Sequence, residues 1–338
     1  MRNVIFAVSF VNLLLSAGAL GATGEDPKPA PAQMATENVT VTGSRNAYHD
    51  FSKTFAAPTA VTGKIARWEH RICPLVVGQN EHYTAFISQH IKYVALAAGA
   101  PVNTDASCEP NIEVVFTSTP QALLDSVAKD NPLFLGYFTS IAQKMALATM
   151  TRPVQAWYAT ETTDIKGRQW PDTGMAYVNG NRIGNLVGLA NGAGDVLNNA
   201  PGQKLEDLPP FFASLGNRTN DGIHTGFWHV LIVIDSTKLA GQDLVPLSDY
   251  ISMLALTQIN SLGACQDLPS VVNRLAPDCH HPADGLTIYD LAYLQGLYHM
   301  TAGRGGSGYF SNMVLQWNEI GDMMTDRLEE LRVSTAAK

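Results

Sequence analysis

Two adjacent imidazoles and a carboxylate, His280-His281-x-x-Asp284, form the densest set of metal-binding side chains in the sequence. Imidazole nitrogens with a carboxylate oxygen suit a zinc-class ion. Neighbouring residues reach one ion only where the chain turns between them. Pro282 beside Cys279 explains the same residues as a disulfide-bounded loop, so no metal is expected there. His224 and His229 would join such a site only if the fold brought them near. Glu161 and Asp164 form a carboxylate pair on a loop so polar that solvation is the expected state. No Gly-x-Ser-x-Gly elbow and no phosphate-binding loop is present. Ser307 lies in a Gly-rich connection. Cys73, Cys108, Cys265 and Cys279 lack the short Cys-x-x-Cys spacing of a zinc site. Three disulfide pairings are open to them. Cys73–Cys108 and Cys265–Cys279 are favoured because each closes a local loop, and oxidation would leave no thiolate nucleophile.

The elements that would position these groups centre on Gly226 to Met300. Phe227 to Asp235 is a continuous apolar run that reads as a buried strand. A turn-rich link over 236–246 leads to a helix expected over 247–263. There Ile251, Leu254, Ala255, Gln258, Ile259 and Leu262 share one face. Gln258 is its polar member, and a buried carboxamide needs partners, from the loop carrying Asp267 or from a ligand. Upstream, the pattern predicts strands over 68–77, 111–117 and 155–160, and helices over 83–98 and from Thr119-Pro120 to Lys129. His82 and His90 read as surface or edge residues of the first of these helices. Phe310 to Arg332 reads as an amphipathic tail helix. This alternation implies a single α+β domain over 63–338, a mixed sheet packed with helices. Residues 160–225, rich in Gly and Asn, read as an insertion or flap.

Metzincin-type zinc peptidases carry His-Glu-x-x-His on a helix, so that two imidazoles face one ion and the Glu is the general base. Leu262-Gly263 resembles the Leu-Gly that follows that helix. Pro269-Ser270-Val271-Val272 resembles the Ser-Ile-Met-type turn beneath the metal. Leu286-Thr287-Ile288-Tyr289-Asp290, with Leu294 and Leu297-Tyr298, resembles the closing helix. The chain thus resembles a degenerate metzincin, and a zincin-like secreted proteobacterial family of unknown function. The resemblance implies a zincin-like core over 226–300. The ligand positions depart from it. Leu254 and Ala255 stand where the first His and the Glu would be, and Gln258 where the second His would be. Cys265, Gln266 and Asp267 occupy the place of a third His. Leu and Ala neither bind zinc nor take a proton from water, so no catalytic residue and no cofactor is expected.

The chain has 338 residues, 46% hydrophobic and 15% charged, enough for a sizeable core. A net charge of -8 excludes a general nucleic-acid binder, which needs a basic surface. Arg2, the apolar run from Val4 to Leu15 and the small residues up to Ala22 read as a signal peptide over 1–22. A periplasmic or extracellular location follows, where disulfides persist, with no transmembrane span in the mature chain. Residues 23–62 read as a flexible leader. Within it, Glu37 to Arg45 resembles the segment by which TonB-dependent receptors pair with TonB; Val39, Thr40 and Val41 would make that contact by strand addition. The expected function is a non-catalytic, peptidase-derived binding or scaffolding protein of the bacterial cell envelope, with an envelope protein or peptide as partner. The alternatives are a hydrolase using a non-standard metal or carboxylate site, and an accessory of a TonB-linked system.

Overall fold

The computed structural model describes residues 44–164, 166–172, 177–178, 181–182, 222–239, 241–277, 279, 283–301 and 309–336. The expected signal peptide, most of the leader and the Val39–Val41 segment lie outside the described residues. So do His280, His281, Ser307 and much of the expected flap.

The central strand is β7 (His224–Asp235), and it is buried on both faces, as a continuous Val/Ile/Leu run demands. Phe227, Val230, Ile232 and Ile234 point into the main core. Leu231 and Val233 point the other way, onto Leu124, Leu135 and Trp157. Around β7 stand β1 (Pro74–Val77), β2 (Ile112–Thr117), β3 (Val154–Thr163) and β4 (Gln169–Pro171), in the order β1-β2-β7-β3-β4. The first three in that order are parallel. β3 runs antiparallel to β7, with Ala156 opposite Ile232, and β4 antiparallel to β3. A separate two-stranded pair joins β5 (Tyr177–Val178) to β6 (Asn181–Arg182). The fold is mixed α/β with a five-stranded mixed sheet.

Seven helices are described: α1 (Arg45–Phe55), α2 (Glu81–Ala98), α3 (Pro120–Asp130), α4 (Ile141–Leu147), α5 (Leu244–Leu256), α6 (Ile288–His299) and α7 (Tyr309–Ala336). Asn80 caps α2 by accepting the Tyr83 N–H, and Gly99 ends it at φ 85°. A Cβ on Gly99 would come within 2.6 Å of the His299 ring, so close approach to α6 also requires glycine. α6 opens with a capping box, Thr287 accepting the Asp290 N–H. From Leu247 to its end α5 is buried on every side. Its Ser248 and Ser252 hydroxyls turn back to the carbonyls of Leu244 and Ser248.

Three sequence expectations need correction. The leader does not extend to residue 62: Tyr48, Phe51, Ser52 and Phe55 repeat at helical spacing and form the buried face of α1. Phe55 packs edge-on to Tyr293 at 4.7 Å, and Arg45 pairs with Asp322 of α7. α5 stops at Leu256 rather than Gly263. Thr257 is extended, and Gln258–Asn260 pairs with the chain leaving α1 through Ala57 N–H to Gln258 C=O and Asn260 N–H to Phe55 C=O. Two long-range backbone bonds thus outweigh continued helix at β-branched Thr257 and Ile259. His90 is buried rather than at the surface: its Nε2 lies 2.5 Å from Asp249 of α5. The other oxygen of Asp249 accepts the Leu286 N–H, so one carboxylate ties together α2, α5 and the entry to α6.

Cys73 is bonded to Cys108 and Cys265 to Cys279, with Cα separations of 6.1 and 5.2 Å. No described helix is long and apolar enough to cross a membrane.

Candidate binding cleft

The last turn of α5 holds Leu254 and Ala255, the positions the metzincin resemblance aligns with ligand and base. Both are fully buried. The final carbonyls of a helix lack intrahelical donors, and burying them unpaired is costly. Three aromatic side chains supply the donors. The Trp68 indole N–H donates to Ala255 C=O at 2.7 Å. The Tyr298 hydroxyl donates to Leu256 C=O at 2.8 Å. The Tyr158 hydroxyl lies 2.9 Å from Leu254 C=O and 3.1 Å from Thr257 C=O. Burial pushes the phenols of Tyr158, Tyr293 and Tyr298 well upward, so they remain protonated donors. Hydrocarbon and aromatic hydrogen-bond donors therefore fill this volume. Among the described residues no group of three His, Cys, Asp or Glu side chains could hold a metal ion.

The turn that resembles the one beneath a peptidase metal is anchored by Asp290. This fully buried carboxylate accepts the Ser270 hydroxyl, the Val271 N–H and the Thr287 N–H. Burial raises its pKa to about 6, against the opposing pull of those donors.

Gln258, just beyond α5, stands elsewhere: it lines a cleft of about 280 Å³. Thr59, Leu135, Tyr137, Ala156 and Thr160 share that lining. The loop carrying Asp267 is not held by Gln258. Its anchor is Asn273, whose Oδ1 accepts the Gln266 N–H, while Asp267 itself is exposed. One wall of the cleft is the outer edge of β3. β4 covers that edge over Glu161–Thr163 and the Asp172 N–H donates to Thr160 C=O, so the edge has no strand partner among the described residues only from Val154 to Ala159. The 3-10 turn Pro132–Leu135 ends against the same edge, at Tyr158. Gly136 follows at φ 83°, and a Cβ there would lie 2.5 Å from Tyr158 C=O. The Tyr137 hydroxyl is buried without a hydrogen-bond partner.

Behind Thr160 sits Asp172. Its two oxygens accept the hydroxyls of Thr160 and Thr162, each at 2.7 Å. Burial raises this carboxyl to about 6, and the charge of Glu161 adds to the rise. Glu161 and Asp164 are buried, not solvated as the sequence suggested. Glu161 meets His70 at 2.8 Å. Asp164 closes the β3–β4 turn by accepting the Lys166 and Arg168 N–H groups and the Arg168 guanidinium. His224 pairs with Glu69 at 3.1 Å. Burial raises the Glu69 carboxyl, but the His224 hydrogen bond and nearby positive charge outweigh it and hold it low. His229 lies under Phe134 at 4.0 Å, 3.6 Å from Glu113 and without a hydrogen bond on either nitrogen. Asp284 is exposed. Both imidazoles proposed as additions to an Asp284 site are thus engaged with other groups.

Sequence reasoning singled out Gln258 but missed Trp68, Tyr137, Tyr158 and Asp172. No spacing rule links an aromatic in one strand to a helix end about 100 residues away in sequence, as Tyr158 is to Leu254. The unpaired Val154–Ala159 edge was hidden for the same reason.

No family model matches the chain, and no curated protein or solved structure matches it.

Proposed function

We propose that this chain is a secreted, non-catalytic binding protein of the bacterial envelope, zincin-like in layout, whose cleft takes an extended segment of a partner polypeptide. The observation that carries this reading is the unpaired edge of β3 forming the wall of the cleft. A strand edge offers alternating N–H and C=O groups, and an extended peptide satisfies them by adding a strand. The zincin-like part rests on the mixed sheet with β3 reversed beside β7, on α5 following β7, and on the Ser270–Val271 turn tied to α6 by Asp290. The binding rather than hydrolytic part rests on the α5 end, where apolar and aromatic groups stand at the positions of ligands and base. Two disulfides accord with an oxidising compartment.

One observation favours a hydrolase: a buried carboxyl of raised pKa, Asp172, close behind the cleft. Both of its oxygens are engaged by threonine hydroxyls, so neither is turned toward a substrate.

The test is site-specific photocrosslinking in source cells, with a photoreactive residue at exposed position 60 in the cleft and, as control, at exposed Glu329. One dominant protein adduct from position 60 alone supports the reading. Equal adducts from both positions, or none, would overturn it.

A further inference from the structure

Every side chain that lines the cleft is uncharged. Two of its polar groups are unpaired. The Tyr137 hydroxyl is buried with no partner, and the Gln258 carboxamide makes no side-chain hydrogen bond among the described residues. The other polar groups there are occupied. Thr160 donates to Asp172, and Thr59 lies within hydrogen-bond distance of Lys64 C=O and the Thr62 hydroxyl. Pro58, Leu135, Leu147 and Ala156 complete apolar walls.

From this we propose that the cleft selects an uncharged stretch of polypeptide, with Gln258 and Tyr137 reading its backbone. The inference rests on the peptide-binding reading above. A carboxamide offers one acceptor and two donors, the complement of a peptide amide. A buried phenol without a partner gains most from a ligand carbonyl, because it then recovers a hydrogen bond already lost to burial. A Lys or Glu side chain in this space would be desolvated, and the carboxylate nearby, Asp172, already has both oxygens held by threonine hydroxyls. A sugar is the other neutral polar ligand that aromatic-lined clefts take. It needs an open ring face, whereas Trp157 is 3% exposed with its indole N–H spent on Leu147 C=O. The hydroxyl of Tyr158 is likewise spent on α5.

The experiment pans a displayed library of random decapeptides on the secreted full chain, then titrates the enriched peptides against it and against the variants Gln258→Ala and Tyr137→Phe. Circular dichroism confirms that both variants fold. Enriched sequences are expected to share a run of uncharged residues. One Lys or Glu at the centre of that run should weaken binding at least ~30-fold, the scale of an unpaired buried charge. Gln258→Ala should weaken it about tenfold and Tyr137→Phe at least threefold. Peptides that bind with a charged centre, or that ignore both substitutions, overturn this selectivity and leave the peptide-binding reading standing. No enrichment at all, or capture on a glycan array instead, overturns both.

Discussion

Asp290 is the buried group whose behaviour can be worked out most fully. Its carboxyl is fully buried and raised from an ordinary 3.8 to about 6. A carboxyl raised on folding binds more protons in the native state than in the unfolded one, between those two values. Its stabilising contribution is therefore complete below 3.8 and lost as pH rises through 6. Integrated from pH 7 down to pH 5, this one group adds about 1.3 kcal/mol of stability. Asp172, raised to the same value, adds a similar amount. Carboxylates held low, such as Glu69 and Asp322, act in the opposite sense. Their contribution disappears only as pH falls through their depressed values, below this window. The assay is urea denaturation of wild type and Asp290→Asn at pH 7, 6 and 5. The gap in unfolding free energy between them should widen by about 1.3 kcal/mol on going from pH 7 to 5. Asn also replaces an acceptor of the Ser270, Val271 and Thr287 donors, so the variant should be weaker by about 1–3 kcal/mol already at pH 7. A gap independent of pH would refute the claim that burial dominates at Asp290.

Other outcomes follow from the same contacts. Tyr158→Phe removes the donor shared by Leu254 and Thr257 carbonyls and should cost about 1–3 kcal/mol in chemical denaturation. His229→Leu removes two buried ring nitrogens that make no hydrogen bond, but also the Phe134 stacking and the Glu113 contact, so it should change stability by no more than about 1 kcal/mol, read as a nearly unchanged melting temperature. Replacing Cys265 and Cys279 together by Ala opens a loop of sequence separation 14 and should cost about 3 kcal/mol by the same denaturation assay. Protein purified without chelators should carry far less than one zinc per chain by emission spectroscopy; a stoichiometric, tightly held ion would return the hydrolase to first place.

Local patterns carried much of this fold. β7 was legible as an unbroken apolar run, and α2 and α7 as three-and-four repeats, while α6 was expected through the resemblance of Leu286 to Tyr298 to a closing helix. The loop-closing disulfides followed from proximity in the chain. What escaped was non-local. α1 carries its Tyr48, Phe51, Phe55 stripe in plain view, but the Pro- and Ala-rich stretch before it drew the boundary of the leader too far along. The early end of α5 is set by pairing with the chain after α1, about 200 residues upstream, which no window of sequence contains. Gln258 stood out as the polar member of an apolar face, yet its surroundings were misjudged because that face ends two residues before it. The cleft itself joins Pro58, Tyr137, Thr160 and Gln258 from four separate stretches, and only the folded sheet assembles them.

Amide hydrogen exchange across β3, with and without a decapeptide recovered from the panning, tests strand addition most directly. Binding should slow exchange at alternate amides within Val154–Ala159, with the peptide recovered at its original mass. Protection confined to other elements, or a peptide recovered in two pieces, would contradict a cleft that holds an extended chain without cutting it.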